Sequence, residues 1–248
     1  TNTDNISVGT GTFENTGTVT ATGEIKIDGG FFKNSANGIV NTNVLDIKGH
    51  VSDQGAITGT INANEKFVYR GIAGNMLGRV LTADVNTNLL HIIGSNYQTG
   101  LKVSNSDVIT DVGEIKVTGA GGRTALVIGN GSTVEYDSRI TLDGTGDVRV
   151  EIENGANFTA KQIVSEAAGA KIQANQNGAV ATVKDIIVEE NSGLSFQTWS
   201  NNPSDSVTYN VENIVLKEGG TLKTVVEPGW SSAQIKGDNI NLTLGEGT

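Results

Sequence analysis

Apolar and polar residues alternate over short runs throughout this chain, and the runs recur. Glu24-Ile-Lys-Ile-Asp28, Glu114-Ile-Lys-Val-Thr118, Arg139-Ile-Thr-Leu-Asp143, Gln162-Ile-Val-Ser-Glu166, Asp185-Ile-Ile-Val-Glu189, Asn213-Ile-Val-Leu-Lys217 and Asn239-Ile-Asn-Leu-Thr243 are versions of one element. Their apolar residues fall at alternate positions, the period of a strand with one buried face. The plainest self-match pairs Val40-Asn-Thr-Asn-Val-Leu-Asp-Ile-Lys-Gly49 with Val85-Asn-Thr-Asn-Leu-Leu-His-Ile-Ile-Gly94. Midway between them lies Phe67-Val-Tyr-Arg-Gly71, a further apolar run closed by glycine.

Two more short strands precede each copy of this element. The first of a coil includes Thr124-Ala-Leu-Val-Ile128, Val148-Arg-Val-Glu-Ile152, Ala170-Lys-Ile-Gln-Ala174, Leu194-Ser-Phe-Gln-Thr198 and Leu222-Lys-Thr-Val-Val226. The second includes Thr133-Val-Glu-Tyr136, Asn157-Phe-Thr-Ala160, Ala179-Val-Ala-Thr182, Ser206-Val-Thr-Tyr209 and Ser232-Ala-Gln-Ile235. Between first and second strands sit Gly129-Asn-Gly-Ser132, Asn154-Gly155 and Asn177-Gly178, residues that accept the positive φ of tight corners. Anchoring the first strands on Phe13, Phe32, Ile57, Leu81, Leu101, Leu126, Val148, Ala170, Leu194 and Leu222 gives about ten repeats of three strands.

The pattern predicts an all-β fold, a right-handed single-stranded parallel β-helix whose coils stack at ~4.8 Å into a rod on the order of 50 Å long. Its inner wall would carry Ile25, Leu45, Leu90, Ile115, Ile140, Ile163, Ile186, Ile214 and Ile240. Residues 1–248 read as one β-helix. Asn5-Ile-Ser-Val8 and Leu242-Thr-Leu244 resemble partial coils, so the expectation is a piece of a longer rod.

Composition narrows the function. The chain has 33 Gly, 2 Pro, 2 Trp, no Cys and only 5% aromatic residues. Without Cys there are no disulfide frameworks, Cys-zinc sites or thiol catalysis. A net charge of −10 supplies no excess to neutralise phosphates, which argues against nucleic acid as a partner. No apolar run is long enough for a membrane-spanning helix.

Taken together, the Gly/Asn/Thr-rich coils, the missing Cys, the scarce Pro, the acidic charge and repeats such as Gly11-Thr-Phe-Glu-Asn-Thr-Gly-Thr-Val-Thr-Ala-Thr22 resemble the passenger domain of a type V secreted autotransporter adhesin. The likeness is to large Gram-negative adhesins, fusobacterial ones included. It covers the whole chain and lies in texture, so it carries over no functional residue. It implies export and display at the cell surface, with anchorage to the outer membrane through a C-terminal barrel not present in this chain. It further implies attachment to a host or bacterial cell-surface ligand, protein or glycan.

Polysaccharide lyases and hydrolases also use β-helices, so a carbohydrate-active enzyme is the competing expectation, and a non-binding spacer the blander one. Glycoside hydrolysis needs two carboxyl groups facing each other across the sugar. The outward acids Glu24, Asp28, Asp46, Glu114, Asp143 and Asp185 instead alternate with Lys26, Lys48 and Lys116, the pattern of a solvated face with ion pairs between rungs. His91 aligns with outward Asp46, and His50 follows a corner glycine; neither has a second His at ligand spacing. Asp143-Gly-Thr-Gly-Asp147 has the carboxylates of a calcium loop without its iteration and reads as a corner. No catalytic residue, metal ligand or cofactor site is assigned.

Two departures from the repeat are the candidate partner-binding features. One corner between first and second strands carries Trp199-Ser-Asn-Asn-Pro-Ser-Asp205 and, on the next coil, Glu227-Pro-Gly-Trp230. Both Trp and both Pro of the chain fall there. Trp199, Asn202, Asp205, Glu227 and Trp230 are its candidate contacts, since long loops on one side of a solenoid commonly bind and Trp is enriched at interface hot spots. The other departure is an outward apolar stripe, Val164, Ile187 and Val215, on three consecutive coils.

Overall fold

In a computed structural model, the described residues are 2–48, 55–71, 76–94, 99–104, 111–175, 177–199, 207–226, 233–236 and 241–244. Every described element is a β-strand, and all strand pairs are parallel. The chain is a parallel β-solenoid. Strands one coil apart hydrogen-bond, which gives a 14-stranded sheet and a 7-stranded sheet, with a 2-stranded piece at Thr12–Asn15 and Phe31–Asn34.

The second and third strands predicted for each coil run on, in most coils, as one bent strand. Examples are Ile39–Lys48, Thr60–Arg70, Asp84–Ile93, Thr133–Gly144 and Asn157–Ser165. The bend is absorbed by irregular pairing, with register shifts between Thr42 and Val44, between Thr87 and Leu89, and between Tyr136 and Arg139. A local bulge of this kind turns a strand without breaking its ladder on either side. These long strands form the 14-stranded sheet. The first strands of the coils, from Met76–Leu81 to Thr221–Val226, form the 7-stranded one.

The inner wall follows the alternation. Ile6, Ile25, Leu45, Phe67, Leu90, Ile115, Ile140, Ile163, Ile186 and Ile214 stand in register, one above the next. Leu242 completes that column, where Ile240 was expected; Ile240 itself lies outside the described residues. Ring pairs fill part of the core: Phe13 stacks on Phe32 at 5.4 Å, and Phe196 lies tilted against Tyr209 at 4.9 Å. Burial raises the Tyr209 phenol well above its usual range, while its oxygen accepts from Ala174 N at 3.0 Å and donates to Gln197 O at 2.5 Å.

The first strands show two slips in the anchors read from sequence. Leu81 pairs with Val103 rather than Leu101, and Leu126 with Val150 rather than Val148. Each slip is one full side-chain period, so the same face stays inward. Alternation reveals a slip of one residue, which flips every side chain, but not a slip of two.

The corners behave as their residues require. Gly131, Gly155 and Gly178 close the first-to-second-strand corner of successive coils with φ of 65°, 65° and 75°. Gly144 (φ 107°) closes the opposite corner, where a Cβ would stand 2.1 Å from Gly119 O, so no other residue fits.

Candidate functional site

The outer face of the 14-stranded sheet is laced by charge. Along the third-strand part, Lys26, Asp46, Val68, His91, Lys116, Thr141, Val164, Ile187 and Val215 form the central outward column. On one flank run Glu114, Arg139, Gln162, Asp185 and Asn213. On the other, Asp143, Glu166, Glu189 and Lys217 extend successive ladders. Arg70 forks onto Asp46 with contacts of 2.8 Å, Lys48 meets Asp28 at 3.2 Å, and Lys116 meets Asp143 at 2.9 Å. The bond to Asp143 raises the Lys116 pKa, and the bond to Asp46 raises that of Arg70. The ion pairs between rungs expected from the Lys/Asp alternation are therefore present.

Those pairs decide how open the apolar stripe is. Val164, Ile187 and Val215 do stand on consecutive rungs of the central column. Arg139 reaches from one flank to Glu166 on the other at 3.2 Å, its Nε donating to Thr141 Oγ1 at 3.0 Å on the way. This arch roofs Thr141 and Val164, which are each only 1% exposed although they point away from the core. Farther along, Asn213 bonds Asp185 at 2.7 Å and Lys217 bonds Glu189 at 2.5 Å, each pair running along its own flank. Ile187 and Val215 stay half-buried between them. The stripe is thus open at two rungs and closed at the third.

His91 holds the outward slot of Asp46, as the repeat alignment implied. Its Nε2 lies 2.9 Å from Thr118 Oγ1. Burial first, then Lys116, Arg70 and Lys66, hold its pKa below the ordinary value of 6.5. The corner Asp143–Asp147 turns its two carboxylates to different cations: Asp143 to Lys116, Asp147 to Arg149 and Lys171.

The outer face of the 7-stranded sheet is different in kind. The ion pair of Arg123 with Glu151 is nearly buried, the Glu151 side chain being 5% exposed. Arg149 bridges Asp147 and Gln173. Asn175 donates to Glu151 at 2.6 Å and accepts from Gln173 at 2.6 Å. Beyond this mat the outward residues become small: Gly169, then Gly193 and Ser195, with Lys171 on one side and Lys223 on the other. Apart from Asp147, none of these was singled out from the sequence. The signal was available, because the anchors Val148, Ala170, Leu194 and Leu222 align these strands and set Arg149, Lys171, Ser195 and Lys223 in one column.

Of the corner candidates, Asn202, Asp205, Glu227 and Trp230 lie outside the described residues, as does the Trp199 side chain. The ladder around them is continuous. Trp199 pairs in backbone register with Asn175, the last described residue of the strand below, and pairing resumes at Val180 with Thr208.

Among the described residues no helix is long and apolar enough to cross a membrane, and no group of His, Cys, Asp and Glu is placed to hold a metal ion. Compared with known proteins, the chain matches no family model, no curated sequence and no solved structure.

Proposed function

We propose that this chain is a non-enzymatic segment of a surface-displayed bacterial rod, of the autotransporter-passenger adhesin kind, that presents corner loops to a cell-surface protein or glycan. The hand would be right, which parallel crossover connections favour. The observation that carries the reading is the unbroken ladder on both sides of the Trp199–Asp205 insertion. Gly193–Trp199 pairs with Thr221–Val226, and Val180–Val188 with Val207–Leu216, so the strands that flank the added residues keep their pairing. A rigid scaffold that tolerates loop growth at one corner suits recognition by presentation. Attachment energy would come from a few aromatic and polar loop residues. The outward carboxylates Asp28, Asp46, Asp143, Asp147 and Glu151 each engage a cation, which favours this reading over a pair of carboxyls facing a sugar bond.

The test is binding of the labelled chain to bacterial and host cells, beside a Trp199→Ala/Trp230→Ala double variant. The expected result is binding that the variant loses, with an unchanged circular dichroism spectrum and melting temperature. If the intact chain binds neither cell type, the segment is a spacer and the presentation reading fails.

A further inference from the structure

On the outer face of the 7-stranded sheet, the run of small outward residues opens a notch of about 190 Å³. Register explains it. Gly193 and Thr221 share one outward column, with Gly169 just before the strand below, and Lys171, Ser195 and Lys223 share the next. Where neighbouring coils carry Asp147 and Arg149, two consecutive coils supply hydrogen atoms and one short hydroxymethyl. The inward residues Ala170 and Leu194 form the floor, and Val225 closes one edge. Lys171 and Lys223 stand two rungs apart, about 10 Å between their Cα atoms at the ordinary spacing of a β-ladder.

The charge here runs against the rest of the molecule. The whole chain carries −10, yet the column of the notch holds Arg149, Lys171 and Lys223. Asp147 is the acid beside them, and it is shared between Arg149 and Lys171. No described residue forms an ion pair with Lys223, which is exposed. An open cation, a half-satisfied one, two hydroxyls (Ser195 and Thr221), the exposed Gly169 backbone and one apolar edge thus meet around a space below the ~300–1,000 Å³ of a drug-sized pocket.

We propose that this notch binds a single acidic sugar residue, a carboxylate-bearing pyranose. The carboxylate sits between the Lys171 and Lys223 ammonium groups, where both can donate charge-assisted hydrogen bonds. The ring lies over the Gly169 and Gly193 backbone with one face toward Val225, and its hydroxyls meet Ser195 and Thr221. A bare inorganic anion would use the ammonium groups and leave the hydroxyls and the apolar edge without a role. The site lies at the start of the strand that ends on Trp199, and it stands whether or not the Trp corner binds.

The experiment is an amide-resolved NMR titration of the whole chain with sodium glucuronate, with glucose, sodium sulfate and a short polyglutamate peptide run separately. Glucuronate is expected to shift the amides of Gly169, Gly193 and Ser195 along a saturable curve, while glucose leaves them in place. Lys223→Gln is expected to weaken glucuronate about tenfold, the loss of one charged contact. Ser195→Leu fills the notch at a surface strand position and is expected to abolish the shifts with the dichroism unchanged. Equal response to glucose, sulfate saturating the same amides as tightly as glucuronate, tighter binding of polyglutamate, or an unaffected Lys223→Gln would each overturn the proposal. Failure of cell binding by the Trp double variant bears only on the corner, so the two readings fall separately.

Discussion

The two outer faces of this solenoid share one core and one stacking rule, yet they treat charge in opposite ways. On the 14-stranded sheet, Lys116, Asp143, Arg139 and Glu166 keep between about a quarter and a half of their side-chain surface in water, and each has a partner within 4 Å. On the 7-stranded sheet, Glu151 and Arg149 lie under a mat of neighbours at 4% and 7% exposure, and a few rungs later the mat stops at a notch. The difference follows from side-chain size at the outward positions. On the 14-stranded sheet, long charged residues on many rungs reach the rung above and neutralise one another. A rung of glycine and serine cannot, and among the described residues the next cation, Lys223, has no ion-pair partner.

That contrast is open to attack by substitution, first on the ion pairs. Glu151→Gln leaves the Arg123 guanidinium largely buried without its counter-charge, and burial already pulls the Arg123 pKa down. The expected loss is about 3 kcal/mol, the cost of halving a buried pair. Asp143→Asn on the other face removes the nearer partner of a partly exposed Lys116, which keeps Glu166 at 3.7 Å, and should cost no more than ~1 kcal/mol. Urea unfolding of both variants decides the matter; equal losses would erase the distinction between the faces.

A smaller effect separates the two ends of the apolar stripe. Arg139→Ala removes the arch over Thr141 and Val164 and should lower stability by roughly 0.5–1 kcal/mol, through lost contact as well as lost charge. It should also speed hydrogen exchange at the Val164 amide. Asp185→Ala, beside the already open Ile187, should leave local exchange unchanged. Similar exchange in both variants would mean that the arch covers nothing.

The smallest expected effect is a pH dependence. His91 titrates below 6.5 in the folded protein, because burial and nearby cations oppose its charge. In the unfolded chain it takes up a proton near 6.5. The unfolded state thus binds more protons in the window below that value, and stability contributed by neutral His91 falls as pH drops through it. The melting temperature of His91→Gln relative to the parent should therefore improve as the pH falls from 7 toward 5. A difference that stays flat across that range would remove His91 from the charge balance of its face.

Particular residues show how far the sequence could be read. Ile25, Leu45, Ile115, Ile140 and Ile163 were legible as one inward column because alternation is local and every rung repeats it. The Gly131, Gly155 and Gly178 corners were legible because the backbone there needs a residue that accepts positive φ. Val148 was not placed correctly against Leu126, since a two-residue slip preserves the pattern. The stripe of Val164, Ile187 and Val215 was placed on the right rungs, but the burial of Val164 was invisible, because Arg139 covers it from a neighbouring coil.

By itself, then, the sequence determined the strand period, the inward set and the corners, which depend on neighbours along the chain. Tertiary structure decided which charges meet, which outward residues are covered and where the notch opens. These depend on contacts between residues one coil apart, such as Arg123 with Glu151 and Lys171 with Asp147. Their outcome turns on how far each side chain reaches across a ~4.8 Å rung, a length that hydrophobic alternation does not encode.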